Sequence, residues 1–304
     1  MTGTVLILGG RGRFGRHAAE AFWNAGWRVT LFRRGGDLIS AAQGTDLIVN
    51  GWNPPYPRWA ADLPGQTEQV IAAARASGAT ILQAANLYVY GAGSPELLRA
   101  DTPHRAQNPL GRLRIETEAL LRDSGLPVIL LRAGDFLDTC ASGNWFDRVI
   151  AASLGNDVLT YPGDPDVAHA WAFLPDLARA AVQIAERRER LPRFTDMPFP
   201  GMTLSGAEMA AQLSQMLGQE LRVRRMSWLP LHLARPAWPL ARRLLEMRYL
   251  WSMPHRLDPA PFRALCPEFR DTPVEDALRL AVAGLRADPA SRAQADGAGR
   301  QRAA

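Results

Sequence analysis

Short apolar runs alternate with longer segments of helical periodicity over the first 190 residues of the chain. The runs are rich in Val, Ile and Leu and occupy residues 5–8, 29–32, 47–49, 80–83 and 128–131. Helical patterns fill 13–25, 65–77 and 109–124, and a glycine follows each: Gly26, Gly78 and Gly125. Apolar strands that alternate with helices are typical of parallel sheets covered on both faces. The pattern therefore predicts an α/β fold with a doubly wound parallel sheet.

After residue 131 the pattern is less regular. It predicts a strand at 169–174 and helices at 175–188 and 205–217. We therefore expect a nucleotide-binding domain over 1–165, with a return strand and helix at 169–190, and a smaller C-terminal substrate lobe over 191–286. The last stretch, 287–304, has no apolar periodicity and is predicted to be a disordered tail.

The segment 228–251 is rich in Trp, Leu and Arg. One face of its predicted helix carries Leu240, Leu244, Met247 and Trp251. We expect this face to belong to the core or to a homodimer interface. Docking at a membrane surface is the less favoured alternative.

Composition narrows the class of protein. A hydrophobic content of 47% in 304 residues is enough for one large α/β domain and a smaller lobe. The chain shows no basic-then-apolar leader, and no apolar stretch reaches the roughly 20 residues that cross a bilayer. We therefore expect a cytoplasmic protein without a membrane partner. The net charge of +5 comes from arginines scattered along the chain, which argues against a nucleic-acid partner.

Two residue types limit the available chemistry. All 35 Lys and Arg residues are arginine, so a mechanism that depends on a lysine amine is excluded. Cys140 and Cys266 have neither metal-ligand spacing nor the pattern of a disulfide framework. We expect no metal site.

A glycine-rich turn follows the first apolar run. Residues 5–15 read Val-Leu-Ile-Leu-Gly-Gly-Arg-Gly-Arg-Phe-Gly. In this context Gly9 permits a tight turn, Gly12 allows a pyrophosphate to approach the backbone, and Gly15 lets the following helix pack on the sheet. The helix then directs its N-terminal amides at the phosphates. The turn predicts a dinucleotide site formed by Gly9, Gly10, Arg11, Gly12, Arg13, Phe14 and Gly15.

The end of the second strand indicates which dinucleotide. An enzyme that uses NAD usually has a carboxylate here for the ribose hydroxyls. This chain has Arg33 and Arg34, and its first carboxylate is Asp37. Guanidinium groups pair with a 2′-phosphate through charge-assisted hydrogen bonds. The expected cofactor is therefore NADP(H).

Several motifs together resemble a known family. They are the glycine loop, Asp46-Leu-Ile-Val-Asn50, Asn86-Leu-Tyr-Val-Tyr-Gly91, Arg132-Ala-Gly-Asp-Phe136 and Phe173-Leu-Pro-Asp-Leu-Ala178. Over about residues 5–177 the chain resembles an extended short-chain dehydrogenase/reductase of the epimerase/dehydratase branch. The resemblance implies a Rossmann fold, a nicotinamide cofactor and a cofactor contact at Asn50.

The catalytic set of that family is missing. The resemblance places Asn86 at the family's serine position, Leu110 at its tyrosine and Arg114 at its lysine. Arg114 is expected to hold the nicotinamide ribose, but a guanidinium is a poor proton relay and leucine carries no proton. The chain is similar to the atypical members of the family.

Another group must then exchange the proton with the substrate. The candidates are Tyr88, Asn86 and Asp135, in loops that follow predicted strands. His104 and His169 are weaker candidates. Alternation along an extended segment would point Tyr88 and Tyr90 in the same direction.

Aromatic side chains near the same loops suggest an apolar pocket. We expect the substrate to contact Trp52, Tyr56, Tyr90, Trp145 and Trp171, with Asn50, Asn53 and Asn86 as orienting polar groups. No set of polar clamps for a nucleotide sugar stands out.

These features favour an NADP(H)-dependent oxidoreductase of atypical short-chain type. It would transfer a hydride to or from a small or medium-sized organic substrate, with a nonstandard proton donor. An epimerase or dehydratase on the same scaffold is one alternative. A non-catalytic NADP(H)-binding redox sensor is another.

Overall fold

The structure, a computed structural model, describes residues 3–287. The central sheet contains β1 (Thr4–Leu8), β2 (Arg28–Leu31), β3 (Leu47–Asn50), β4 (Thr80–Ala85), β6 (Val128–Arg132) and β10 (Phe194–Pro198). The smaller sheets contain β5 (Leu97–Leu98), β7 (Asp135–Leu137), β8 (Val158–Tyr161), β9 (Ala170–Phe173), β11 (Met202–Thr203), β12 (Arg222–Arg225) and β13 (Arg256–Leu257).

The α-helices follow in chain order. They are α1 (Arg13–Asn24), α2 (Leu38–Ala41), α3 (Trp59–Ser77), α4 (Pro109–Asp123), α5 (Leu174–Glu186), α6 (Gly206–Leu217), α7 (Leu229–Ala234), α8 (Pro239–Glu246), α9 (Ala260–Leu265) and α10 (Val274–Ala287). A π-helix spans Phe146–Ile150. The predicted disordered tail lies outside the described residues, apart from Ala287 at the end of α10.

The six strands of the central sheet are parallel and lie in the order β2-β1-β3-β4-β6-β10. The connection after β1 therefore leads to β2 on one side of β1, and the connection after β2 crosses to β3 on the other side. Ligands of open α/β sheets bind at such a switch point, beyond the carboxyl ends of the strands. The predicted doubly wound parallel sheet is confirmed.

Alternate residues of the strands build two cores. Val5 and Ile7 face α1 and α5, whereas Leu6 and Leu8 face α2 and α3. All four side chains have no solvent exposure. This two-sided burial explains why the strands read as continuous apolar runs.

The glycines that follow the predicted helices have left-handed backbone conformations. The φ angles are +79° at Gly26, +76° at Gly78 and +69° at Gly125. Glycine reaches this region without steric cost and ends a helix there. The helices predicted at 13–25 and 109–124 are observed at 13–24 and 109–123.

The C-terminal half adds a second core. It joins β8 and β12 to α6, α10 and the π-helix. The predicted strand at 169–174 is β9, but it pairs with β7 and β11 rather than with the central sheet. The expected lobe boundary at 191 precedes β10, so the sixth strand of the central sheet lies within the expected substrate lobe.

The apolar face expected in 228–251 turns inward. Met247 and Trp251 are buried, and Leu240 and Leu244 are half-buried. The expectation of a core face therefore agrees with this packing. Among the described residues, no helix is both long and apolar enough to span a membrane.

His255 is buried in this region against His169, at 4.3 Å between ring centroids. Its Nδ1 lies 2.7 Å from the carbonyl oxygen of Met253, to which it donates. Burial, with the neighbouring His169, lowers the pKa of His255 to about 3. The imidazole is therefore neutral in the folded protein at physiological pH.

Gly15→Ala should destabilise the fold, because a Cβ there would clash with the backbone of Gly9. We expect a loss of about 1–3 kcal/mol in the free energy of unfolding, measured by urea denaturation. Gly65→Ala is the control, since a Cβ at this position in α3 would meet no atom within 4 Å apart from its chain neighbours and the nearby backbone of the same helix. The control should be neutral or slightly stabilising, and an equal loss in both variants would contradict the explanation.

His255 should make the protein sensitive to acid. Its pKa rises from about 3 in the folded chain to the ordinary histidine value of 6.5 on unfolding, so the unfolded chain binds the extra proton. Stability from the neutral imidazole is present above pH 6.5 and is lost as the pH falls towards 3, by up to about 1.4 kcal/mol per pH unit.

His255→Asn retains a donor for the Met253 carbonyl but does not titrate. We expect it to flatten the dependence of the unfolding free energy on pH between pH 7 and about 4.5. His232→Asn, at an exposed position on α7, is the control and should leave the dependence unchanged. An unaltered slope in His255→Asn would refute this role.

Candidate functional site

The glycine loop lies at the switch point between β1 and β3. Gly9 has a φ of +73°, and the amide of Gly12 donates to its carbonyl oxygen at 2.7 Å. A Cβ on Gly9 would lie 2.9 Å from the carbonyl oxygen of Gly51, which follows β3. Glycine is therefore required at the turn and where α1 meets the sheet.

The first turn of α1 has no side-chain cap. Gly12 is its N-cap residue, and no described side chain accepts from the amides that follow. Such amides attract anions through their hydrogens and the helix dipole. The side chain of Phe14 is buried in the core, so only its backbone can contribute. Arg11 is exposed and has no side-chain partner among the described residues.

Arg13 connects the glycine loop to the segment after β7. Its Nε and Nη2 donate to the carbonyl oxygens of Ser142 and Gly143, at 2.9 and 2.8 Å. The guanidinium stands beside the expected cofactor site but binds protein acceptors. Its predicted contact with the cofactor stays a prediction.

Asp138 forms a second link between this segment and α1, which the sequence did not predict. Asp138 is buried and accepts from Arg16 and from His17 Nε2, the latter at 2.8 Å. The partners are more than 120 residues apart, and no local pattern connects them. The two links hold the start of α1 against residues 138–143.

The side chains after β2 differ in their partners. Asp37 caps α2, accepting from the amides of Ile39 and Ser40 and from the Ser40 hydroxyl, and these hydrogen bonds lower its pKa. Arg33 and Arg34 are exposed and have no side-chain partner among residues 3–287. Two free guanidinium groups and an engaged carboxylate therefore stand beyond β2.

Asn50 and Trp52 are held at the end of β3. The Asn50 carboxamide donates to Gln83 Oε1 at 2.7 Å and accepts from the Trp52 amide at 3.1 Å. Its polar atoms are thus used within the fold. Trp52 packs edge-on against Phe32, with ring centroids 5.7 Å apart. It lies on the glycine-loop side of the crevice, not in an aromatic cluster with Tyr56.

The segment after β4 is a turn. The amide of Tyr90 donates to the carbonyl oxygen of Leu87, and Asn86 Oδ1 accepts from the Tyr88 amide at 3.0 Å. The expectation that Tyr88 and Tyr90 point in the same direction is therefore wrong. Tyr90 has no solvent exposure and packs with Leu87 and Leu98 in the core, so it does not line the crevice.

Tyr56 and Tyr88 form a hydrogen-bonded pair, with 2.5 Å between the hydroxyl oxygens. Both rings also contact Trp59, at centroid distances of 5.0 and 5.9 Å. Burial raises the pKa of both phenols, that of Tyr88 well above its ordinary value. Both hydroxyls are therefore protonated at neutral pH.

Arg114 supplies a cation to the same cluster. Its guanidinium lies 4.1 Å from the centroid of the Trp59 ring and donates to Asn53 Oδ1 at 2.9 Å. Burial lowers the pKa of Arg114, and its charge in turn lowers the pKa of both tyrosines. Arg114, which the resemblance aligns with the family's lysine, thus lies in the same cluster as Tyr56 and Tyr88.

Asp135 approaches this cluster from the start of β7. Its charge raises the pKa of both Tyr56 and Tyr88, so the three groups lie within electrostatic reach of one another. Asp135 Oδ2 is 2.8 Å from Nε2 of the buried His169. His169 is stacked on Trp251 at 4.3 Å with an angle of 7° between rings. The packed imidazole therefore orients a partly exposed carboxylate.

Two expected pocket residues belong to the second core. Trp171 is buried, and its Nε1 donates to the carbonyl oxygen of Leu204 at 3.1 Å. Trp145 is half-buried against Trp228 and Trp251. Both belong to a core that is separate from those of the central sheet, and the sequence pattern did not predict it. Trp171 cannot line a pocket while it stays buried.

A cluster of His104, Glu118 and Asp196 has the donor types of a metal site. The guanidinium of Arg132 already binds both carboxylates, at 2.8 Å to Glu118 and 2.5 Å to Asp196. A second cation there would repel this buried charge. The cluster is therefore explained as an ion-pair network.

The fold was compared with known proteins. No protein-family model matches the sequence, and no curated protein matches it significantly. A putative epimerase from Burkholderia cenocepacia J2315 has a TM-score of 0.74 at 18% identity, covering 94% of this chain and 98% of that chain. A nucleoside-diphosphate-sugar epimerase from Pseudomonas aeruginosa gives 0.71 at 19%, covering 94% and 98%.

A third similar structure was solved with ligands. It is UDP-glucuronic acid 4-epimerase from Bacillus cereus in complex with UDP-glucuronic acid and NAD, with a TM-score of 0.72 at 14% identity, covering 92% of this chain and 98% of that chain. These matches extend beyond the motifs to nearly the whole chain. The protein therefore has the same fold as these three epimerases, and this fold is the one that the resemblance to the extended short-chain dehydrogenases/reductases implied.

Proposed function

We propose that the protein is an NADP(H)-dependent oxidoreductase that reduces a carbonyl group of an organic substrate. The observation that carries this proposal is the Tyr56–Tyr88 pair beside Asp135 and Arg114. The two phenolic hydroxyls keep their protons and lie at the carboxyl edge of the sheet, where a dinucleotide would bind. Oxidoreductase chemistry also agrees with the epimerase and dehydratase activities named for proteins of similar fold.

The residues of the glycine loop fit a dinucleotide. The loop needs glycine where its backbone lies closest to neighbouring backbone, as at Gly9 and Gly15. The uncapped amides of α1 are suited to a pyrophosphate. Arg114 is positioned to hold ribose hydroxyls through its remaining donors, since its Nε is buried without a partner among the described residues. When bound, a nicotinamide supplies or accepts a hydride.

Arg33 and Arg34 favour NADP(H). The 2′-phosphate carries a charge that two free guanidinium groups can bind, whereas Asp37 is engaged in capping α2. Three structures of similar fold were solved with NAD: MoeE5, UDP-glucose 4-epimerase from Bifidobacterium longum and UDP-glucuronic acid 4-epimerase from Bacillus cereus. A preference for NADP(H) would therefore distinguish this chain from them.

Tyr88 is the proposed proton donor. A phenol whose pKa is raised by burial keeps its proton at neutral pH, so it can donate to a developing alkoxide but is a poor base for an alcohol. The positive charge of Arg114 stabilises the phenolate that forms. Tyr56, hydrogen-bonded to Tyr88, can return a proton to it. This asymmetry favours reduction over oxidation.

Asp135 is the proposed orienting group for the substrate. Its carboxylate is partly exposed and held by His169, so it can accept a hydrogen bond from a substrate hydroxyl. His169 acts as a positioning residue because Trp251 and His255 fix its ring. Asn86 is beside Tyr88, and its Oδ1 is used by the Tyr88 amide.

An epimerase or dehydratase acting on a nucleotide sugar is the second candidate. The similarity of the whole chain to such enzymes supports it. Both reactions begin by removing a proton from the substrate, for which Tyr88 is unsuited unless its pKa falls on binding. A non-catalytic NADP(H) sensor would show binding without turnover of any substrate tested.

The cofactor preference is tested by binding. We expect NADPH to quench the tryptophan fluorescence with a Kd at least about tenfold lower than that for NADH. The Arg33→Ala/Arg34→Ala variant should lose this preference through weaker NADPH binding alone. Arg28→Ala is the matched control, because Arg28 is exposed at the opposite end of β2. Tighter binding of NADH by the native protein would refute the assignment of NADP(H).

The proton donor is tested by turnover. Isotope-labelled NADPH is incubated with a panel of aromatic and aliphatic aldehydes and ketones, UDP-glucose and UDP-glucuronic acid. With any compound of the panel that the native protein reduces, Tyr88→Phe should lower kcat about 10²–10⁴-fold while NADPH binding is retained. Tyr90→Phe, in the core, is the control and should retain activity. Full activity of Tyr88→Phe would exclude Tyr88 as the donor.

A further inference from the structure

The hairpin formed by α7 and α8 exposes large apolar side chains. Leu229, Leu233 and Trp238, which we call the hairpin patch, are 62%, 72% and 46% exposed. Leu229 and Leu233 are one helical turn apart on α7, and the amide of Trp238 donates to the carbonyl oxygen of Ala234 at the end of that helix. The three side chains therefore belong to one compact structural unit.

The opposite side of the hairpin is anchored in the protein. Trp228 is buried, and its Nε1 donates to the carbonyl oxygen of Pro162 at 2.7 Å. Ala241 in α8 is buried, and the buried Met247 packs in the cluster that contains Trp59. The patch is thus held outward by a packed element.

The segment that contains the hairpin patch is rich in arginine. Residues 222–248 contain seven arginines and one acidic residue, Glu246, which binds Arg243 at 2.6 Å. This segment alone accounts for the positive charge of the chain, whose net charge is +5. Arg235 and Arg242 are exposed and have no side-chain partner among the described residues. An apolar centre is therefore combined with unpaired positive charge.

We propose that the hairpin patch docks on the surface of an anionic lipid bilayer. Leucine and tryptophan side chains are suited to the boundary between headgroups and acyl chains, and nearby arginines attract anionic headgroups. Neither signal alone gives stable attachment, and this hairpin carries both. A second copy of the chain is the less suitable occupant, because a two-fold contact would bring the arginine-rich surface against itself.

Docking would also bring the candidate site close to the membrane. Helix α8 packs against residues 56–58, which begin with Tyr56 of the phenol pair. A lipid-soluble substrate would then have a short path to the site. The docking proposal itself does not depend on the proposed oxidoreductase function.

Vesicle sedimentation with the full chain tests the proposal. We expect the protein to pellet with vesicles of equimolar phosphatidylglycerol and phosphatidylcholine, and at least about tenfold less with phosphatidylcholine alone. About 0.5 M NaCl should weaken the binding, because salt screens exposed charges. Leu233→Ser/Trp238→Ser should lower the affinity for anionic vesicles by at least about tenfold.

Two further variants separate the contributions of charge and of exposed tryptophan. Arg235→Glu/Arg242→Glu should also weaken vesicle binding, whereas Trp23→Ser should not, although Trp23 on α1 is 69% exposed. All variants should keep the native melting temperature. Failure to pellet with anionic vesicles would overturn the proposal, as would equal pelleting with phosphatidylcholine. A dimer that Leu233→Ser/Trp238→Ser dissociates, without vesicle binding, would assign the patch to a second copy.

Discussion

The guanidinium of Arg132 joins the elements that carry the candidate site. It has no solvent exposure and donates to Asp196 on β10, to Glu118 on α4 and to the carbonyl oxygen of Asn86 after β4. A buried charge is tolerated only where its donors are satisfied, so these three elements must assemble together. Tyr88 lies in the turn that begins at Asn86, and Asp135 follows β6, which ends at Arg132. The geometry of the site therefore depends on this network.

The site solves an electrostatic problem that follows from a chain without lysine. In the family that the chain resembles, a lysine lowers the pKa of a tyrosine. Here Arg114 has the same sign of effect on Tyr88, but burial outweighs it and leaves the phenol protonated. A second phenol, Tyr56, is hydrogen-bonded to Tyr88, and the carboxylate of Asp135 lies within electrostatic reach of both. The arrangement favours proton donation and contains no lysine.

Local signals predicted the elements well and the directions of side chains poorly. The alternation of apolar runs with helical segments, and the glycines that follow the helices, locate the strands and helices correctly. Secondary structure depends largely on neighbours in the sequence. The direction of Tyr90 depends on a turn that binds its amide to Leu87, so the assumption of an extended segment failed. The ion pair of Arg16 with Asp138 and the burial of Trp171 depend on partners far along the chain. No periodicity contains that information.

The sequence by itself determined the parallel sheet, the glycine turn at Gly9 and the lack of any lysine in the chain. Each of these follows from residue type and spacing alone. Only the tertiary structure brought the hydroxyl of Tyr56 to that of Tyr88 and left Arg33 and Arg34 exposed without a side-chain partner in the part of the chain that the structure describes. It also decided which apolar residues of 228–251 are buried and which are exposed. These outcomes depend on which distant surfaces meet, because burial and pairing set the energy of a polar or charged group.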